Sequence, residues 1–458
     1  MKQILLTIAF AIPSLLLFSQ QDSLLKNFKY RINTFRAISL GASGGGNYTR
    51  TQPVVGPNNY SSGNGSINAS YYTARSTDKI LLTTSTYLYT SFSNTKENDP
   101  ASRYTRKDFE VSPGIYALNK WFSGNRFVEL GTTVSGNVNT SNDRSSNDPA
   151  ATKYDRNAYS IAVYTGIGTG RLENITDMQN ALWLYKALEA AGSLSRALTT
   201  EEQNDLGRTI TRANNTRVLD SRKRTQFILT TVDAYLQQRG LISKTDINYF
   251  SNLNDILFFA YNIPRLSGTE KFIRVTPAIS ATNDDHALNN VINKTETRYH
   301  DKSILVSAGF NVQKPASLVH QNNYGASLKL SYFSYDNNML EYTSNVISSE
   351  LNLGSITKKA GVNLFFQHAI YPNTRTILNA SFQSEIGYQD LRHDKQFYTS
   401  NDLNVSVNYF ISYRTSFNFS MGVQYQKNNQ YHNQGYLYSE YIPERTNLYA
   451  NAGVLVNL

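Results

Sequence analysis

The sequence predicts a mainly β chain: a transmembrane antiparallel β-barrel of about 14 strands (range about 12–16) with an inserted α-helical domain. Three observations predict it. Polar and apolar residues alternate with period two along most of the chain. The links between alternating stretches are short and long by turns. Residues 171–264 switch to helical periodicity.

Alternation signals strand because successive side chains point to opposite faces. Phe417, Phe419, Met421, Val423 and Tyr425 alternate with Asn418, Ser420, Gly422, Gln424 and Gln426. Leu403, Val405, Val407 and Tyr409 alternate with Asn404, Ser406 and Asn408, and Val128, Leu130, Val134 and Val138 with Glu129, Thr133, Ser135 and Asn137. A soluble sandwich alternates too, so the connections decide. Outer-membrane barrels have short periplasmic turns and long external loops. Strands are expected near 36–48, 64–74, 79–92, 107–118, 126–138 and 155–168, then near 271–282, 302–313, 322–335, 360–371, 376–389, 402–413, 416–427 and 446–458. Links 75–78, 122–125, 372–374 and 414–415 are short. Links 51–63, 94–106, 140–156, 283–302, 390–401 and 427–445 are long and rich in Asn, Ser, Asp and Gly. Residues 340–360 fit either a long external loop or one more hairpin.

Charged residues make up 17% of the chain, below the roughly 25% of a soluble domain, yet mean hydropathy is -0.43. Uncharged polar residues and 32 tyrosines fill the difference. That mixture suits a wall that is apolar outside, polar inside and tyrosine-rich at both water–lipid boundaries. The lack of cysteine excludes disulfides, thiolate metal sites and cysteine nucleophiles. The one long apolar run, Ile4 to Phe18 after Lys2, reads as a secretory signal peptide over residues 1–20. The expected organisation is then a first half-barrel over 21–170, a helical insertion over 171–264 and a second half-barrel over 265–458. The insertion follows an even-numbered strand, which puts it in the periplasm. The net charge of +10 points to anionic lipid headgroups or an anion-favouring lumen, not to nucleic acid.

Within the insertion, Met178, Leu182, Tyr185 and Leu188 recur at helical spacing, and Gly192 can stop that helix. Thr199 and Glu202 fit a capping box ahead of Leu206, Ile210 and Ala213. A third helix carries Ile228, Leu229, Val232, Tyr235 and Leu236 and ends at Gly240. A fourth begins near Ser243 with Ile247, Phe250, Leu257 and Phe258. None is apolar over the about 20 residues that a membrane span needs.

On the segment 1–20, the alternating strands and the strand-terminated end at Leu458, the chain resembles the porin-like outer-membrane β-barrel proteins. The likeness is at the level of the class and covers nearly the whole chain. Many members end in an aromatic residue, whereas this chain ends in Leu458. The stretch Gly168 to Glu173, opening the insertion, looks like a domain seen in barrels of this kind without established activity. The resemblance implies an outer-membrane location amid lipid and lipopolysaccharide.

No two of His286, His300, His320, His368, His393 and His432 stand at the i, i+4 spacing of a helical zinc site. Nothing marks a Ser–His pair with a polar orienting group. Asn283 to His286, in an expected external loop, offers oxygen ligands for calcium but lacks the Gly and distant Glu of an EF-hand; a solvated acidic turn is the plainer reading. Gly166 to Gly170 lacks the Lys-Ser/Thr of a P-loop and reads as a flexible joint. No catalytic, cofactor or metal site is expected. Glu129, Lys329, Glu385 and Gln424 fall on polar strand faces. They line the lumen if the barrel is open and are ion-paired inside if it is plugged. Arg217, Asp220, Arg222, Lys223 and Arg224 form either a solvated helix face or a docking surface for a periplasmic partner. Trp183 and Tyr185 beside them read as core.

The function expected first is a channel or transport barrel for small hydrophilic solutes, with the insertion plugging, gating or recruiting a partner. The alternative is a structural or assembly component of an envelope or secretion complex whose insertion docks a periplasmic protein. An outer-membrane enzyme is the least favoured reading.

Overall fold

Among the described residues, fourteen antiparallel strands form one sheet in simple chain order. The computed structural model describes residues 23–51, 58–98, 103–145, 152–218, 220–259, 264–288, 293–343, 346–391, 394–411, 415–431 and 444–456. The expected signal segment, His393, His432 and Leu458 lie outside the described residues. The strands are β1 Ile32–Thr51, β2 Asn58–Ser76, β3 Ile80–Asn98, β4 Arg103–Ser123, β5 Arg126–Ser145, β6 Thr152–Asn174, β7 Leu266–Leu288, β8 Asn293–Pro315, β9 His320–Thr343, β10 Val346–Asn373, β11 Thr376–Leu391, β12 Asp394–Phe410, β13 Thr415–Tyr431 and β14 Glu444–Val456. Helix α1, Ser23–Asn27, precedes β1. Helices α2 Thr176–Ala190, α3 Thr200–Asn215, α4 Ser221–Gln238 and α5 Ile247–Phe259 stand between β6 and β7.

The two sheet faces differ as the alternation predicts. On β5, Val128 is 52% exposed while Glu129 beside it is fully buried. Ile161, Val163 and Ile167 on β6, Leu328 and Leu330 on β9, and Met421 and Val423 on β13 continue the exposed apolar face. A soluble protein hides such a surface, so this one faces lipid. From Val128 to Val138 the band runs for about 10 residues. At about 3.3 Å each and a tilt of about 40°, it stands about 25 Å tall, the height of a barrel's lipid-facing belt.

The other face is concave. Lys120 on β4 meets Glu270 on β7 at 2.6 Å, reaching over β5 and β6; on a flat sheet those strands would stand about 14 Å apart. Just ahead of β1, Arg31 meets Glu173 at the end of β6 at 2.8 Å. The sheet is curled into a barrel wall with its polar face inward. No helix among the described residues is long and apolar enough to cross a membrane.

Three expectations are corrected. The polar stretches expected as long loops over 51–63, 94–106, 140–156, 283–302 and 390–401 are paired strand in their described residues, because ladder hydrogen bonds need no apolar side chains and the hairpins run on beyond the apolar band; most of 427–445 lies outside the described residues. Residues 340–360 are thus neither loop nor extra hairpin: they extend β9 and β10, paired from Thr343 with Val346 to His320 with Ile370. Asn283 to His286 sit inside β7 between β6 and β8. There Asp284 lies 3.6 Å from Arg156 and Asp285 3.7 Å from Lys294, so these carboxylates are ion-paired along a ladder, not open in a turn.

Helices α2 to α5 share one core of Leu184, Leu188, Leu206, Ile210, Val232 and Leu253 among others. The expected capping box is present: Thr199 Oγ1 accepts from the Glu202 N–H, and Glu202 Oε2 accepts from the Thr199 N–H. Gly192 and Gly240 lie just past α2 and α4 at positive φ, where glycine carries no steric cost. The fourth helix differs from expectation. It starts at Ile247, with Asp246 Oδ1 accepting from the Tyr249 N–H at 3.0 Å. The later start places Ile247 (80% exposed) and Phe250 outside, while Tyr249, Leu253, Ile256 and Leu257 are buried.

Candidate functional site

The turns that join β2 to β3, β4 to β5, β8 to β9 and β10 to β11 share one end of the barrel with the helical block, because β6 and β7 both open there. Asn174 pairs with Leu266, and the Ile175 N–H donates to the Arg265 carbonyl at 2.8 Å. The residues Gly168 to Glu173, expected to open the insertion, are the last paired turn-end of β6. From that root the block is tied to several turns. At the β2–β3 turn, Asp78 accepts from Arg31 at 2.8 Å, and Tyr30 beside it takes a hydrogen bond from Asn215 of α3 at 3.1 Å. At the β8–β9 turn, Leu318 is buried with Leu25 and Phe28 from the N-terminal segment and Ile175, Met178 and Leu182 from the block. At the β10–β11 turn, Arg375 pairs with Asp255 of α5 at 2.5 Å. Eight strands of the curled sheet, β3 to β10, separate the β2–β3 turn from the β10–β11 turn, and the N-terminal segment and the block together reach both. The block and α1 therefore lie across the mouth.

Arg265 fastens this arrangement. It is 1% exposed. Its guanidinium donates to Gln321 Oε1 at 2.7 Å, to the Leu318 carbonyl at 2.6 Å, to the His320 carbonyl at 2.8 Å and to the Ser317 carbonyl. It also stands 4.9 Å over the Tyr371 ring. One planar fork thus grips three carbonyls of a single turn; the His320 carbonyl also accepts from the Ala316 N–H at 2.9 Å.

Further inside lies a buried ion network. Glu129 accepts from Arg274 Nε at 2.5 Å and faces Lys120 Nζ at 3.5 Å, and Lys120 also binds Glu270 at 2.6 Å. Two carboxylates face two cations, so the group is balanced. Beta strand β6 makes room for it. A Cβ at Gly166 would fall 2.6 Å from Glu129 Oε1, and one at Gly168 would fall 2.3 Å from the Phe127 ring. Gly166 to Gly170 are therefore part of a paired strand whose inner face is kept bare, not a flexible joint.

Lys329, Glu385 and Gln424 lie on the face opposite the exposed Leu330, Ile386 and Val423. Lys329 pairs with Ser307 and Gly361, Glu385 accepts from Tyr398 Oη at 2.9 Å, and Gln424 accepts from Asn447 at 3.4 Å. They stand on β9, β11 and β13. The network around Glu129 draws instead on Lys120, Glu270 and Arg274, which the sequence reading missed. Lys120 was findable, because the Gly124-Asn125 turn sets it opposite Glu129.

In the charged cluster of the block, Asp220 is the N-cap of α4, accepting from the Arg222 and Lys223 N–H groups. Arg224 donates to the Asn214 carbonyl at 3.3 Å, while Arg217, Arg222 and Lys223 are exposed. Trp183 and Tyr185 pack partly buried against the helical core. On the outer face near the short-turn end, His320 Nδ1 faces His368 Nε2 at 3.4 Å. Among the described residues no three His, Cys, Asp or Glu side chains gather to hold a metal ion.

The α2–α3 contact holds a titrating group. Asp177 is buried and accepts from Thr211 Oγ1 at 2.8 Å and Asn214 Nδ2 at 2.9 Å. Burial pushes its carboxyl up to about 6 from 3.8. The folded block therefore holds this proton more tightly than the unfolded chain. That contribution to stability is full below about pH 4 and is lost as pH rises through about 6, a change of at most about 3 kcal/mol. Asp177→Asn is expected to remove the slope and raise stability at pH 7. Helical circular-dichroism melts at pH 5 and 7.5 check this; a variant melting with the parent's pH dependence contradicts it.

No family model and no curated protein matches this chain. Solved structures give distant likenesses. The translocator domain of the autotransporter NalP from Neisseria meningitidis has TM-score 0.25 and 9% identity, covering 83% of this chain and 89% of that one. The ferric yersiniabactin uptake receptor FyuA from Yersinia pestis has TM-score 0.30 and 5% identity, covering 88% of this chain and 62% of that one. A mutant of the monoaromatic hydrocarbon channel TodX has TM-score 0.22 and 8% identity, covering 90% and 92%. These likenesses are too remote to assign an activity. The class is set by this chain's own ladder and lipid-facing band: a membrane β-barrel of the outer-membrane type.

Proposed function

We propose that this protein lets small hydrophilic solutes pass through a Gram-negative outer membrane, with the helical block as a periplasmic cap over the mouth of the barrel. The observation that supports it is the attachment of one block to the segment entering β1 and to the β8–β9 and β10–β11 turns, through Tyr30–Asn215, Leu318 and Asp255–Arg375. A block serving only as a tethered docking module needs one attachment, not several across an opening. The inward Asn, Ser, Thr and Gln side chains supply a hydrophilic path, and the Glu129 network narrows it at the capped end.

Proteoliposome swelling in small sugars or amino acids tests the proposal. The intact protein is expected to admit solute slowly. A variant with residues 176–264 replaced by a short Asn-Gly turn is expected to admit it rapidly, because Asn174 and Leu266 already pair as a hairpin. No entry through either form, with heat-modifiable gel mobility confirming folded barrels, would favour the structural or assembly role, in which the block docks a periplasmic partner.

A further inference from the structure

Two rows of residues cross the outer face of β4 to β7 next to the capped end. In the row nearest the turns, Ser123 pairs with Arg126, Arg126 with Thr169, and Thr169 with Lys271. In the next outward-facing row, Trp121 pairs with Val128, Val128 with Ile167, and Ile167 with Ile273. The first row is polar and doubly cationic; the second is apolar and well exposed. The change from one to the other occurs within a single step of the pleat. These rows line a shallow trough of about 530 Å³.

We propose that this trough binds an anionic phospholipid of the adjoining leaflet, its phosphate held over Thr169 between Arg126 and Lys271 and one acyl chain lying along Val128, Ile167 and Ile273. Two strand spacings set the backbones of the two cations about 10 Å apart, a gap that their long side chains close from both sides onto one phosphate. Neither cation has an ion-pair partner among the described residues. Thr169 supplies a hydroxyl donor beneath the phosphate. Trp121 sits at the level where an indole bridges headgroup and chain. The geometry also marks the membrane boundary, at the level of Arg126 and Lys271. The inference rests on the membrane placement of the barrel but not on its being a channel.

Trp121 provides the reporter. The chain has 2 tryptophans, and the other, Trp183, has a buried indole N–H with no hydrogen-bond partner among the described residues, so Trp183→Phe sacrifices no bond to them. The Trp183→Phe protein would be refolded into phosphatidylcholine vesicles doped with brominated phosphatidylglycerol or, in parallel, brominated phosphatidylcholine. Quenching of Trp121 is expected to favour phosphatidylglycerol by about fivefold or more, on the attraction of basic residues near an anionic lipid, and to lose that preference in high salt. Adding Arg126→Gln and Lys271→Gln is expected to bring the preference to about one while brominated phosphatidylcholine still quenches. Equal quenching by the two lipids in the Trp183→Phe protein, or a preference that survives both glutamine substitutions, would overturn the proposal. Quenching by neither lipid would overturn the membrane placement, and the lipid site with it.

Discussion

Arg265→Ala is expected to detach the helical cap while leaving the barrel folded. The substitution removes the guanidinium donors from Gln321 Oε1 and from the Ser317 and Leu318 carbonyls at a site with 1% exposure, while the His320 carbonyl keeps the Ala316 N–H. Unmet buried acceptors cost about 1–3 kcal/mol each, with water entry recovering part, so a total of about 3–5 kcal/mol is expected. The cost falls on the joint between the entry to β7 and the β8–β9 turn, where Leu318 packs against the block, not on the strand ladder. Limited proteolysis reads it: cleavage within residues 176–259 should accelerate by orders of magnitude while the barrel fragment keeps its heat-modifiable mobility. Arg265→Lys should restore little, because an ammonium cannot span the planar fork. Unchanged cleavage in the alanine variant would show that the other contacts hold the cap alone.

Glu129→Gln is expected to weaken the barrel itself. Its carboxylate is fully buried and answers Arg274 and Lys120 together. Without it, two inward cations share Glu270 alone. Breaking one partner out of a buried ion network costs about 3–5 kcal/mol, chiefly through the charge left unanswered. The denaturant midpoint of the refolded protein in lipid should fall accordingly. Removing the surplus cation as well, with Glu129→Gln and Arg274→Gln together, should regain part of that loss, because one balanced pair, Lys120–Glu270, remains. A double variant as unstable as the sum of the two singles would mean that the groups act independently.

The wall of the barrel was legible because each strand states its facing locally. Glu129 between Val128 and Leu130, or Gln424 between Val423 and Tyr425, needs only its neighbours to be assigned a side. The Thr199–Glu202 capping box and the helix stops at Gly192 and Gly240 were legible for the same reason: all their partners lie within a few residues. Strand ends were not, because a ladder through Asn, Ser and Asp carries no apolar signal once it leaves the lipid band. Asn283 to His286 looked like a loop on that account. The bare inner face of Gly166 and Gly168 was equally hidden, since its cause is Glu129 and Phe127 on the neighbouring strand. The contacts that matter most join distant parts of the chain: Arg265 to the β8–β9 turn, Asp255 to Arg375, Lys120 to Glu270. The helical block interrupts the register between β6 and β7, so no count of residues could place Glu270 beside Lys120.

Closure of the barrel mouth by the helical block is read by single-channel conductance in a planar bilayer. The intact protein and the variant lacking residues 176–264 would be refolded and recorded under the same salt and voltage. Brief or no openings are expected in the intact protein and steady conductance once the block is gone, with Arg265→Ala lying between them. Steady conductance of equal size with and without the block would contradict it, because a block that leaves the current unchanged does not cover the mouth.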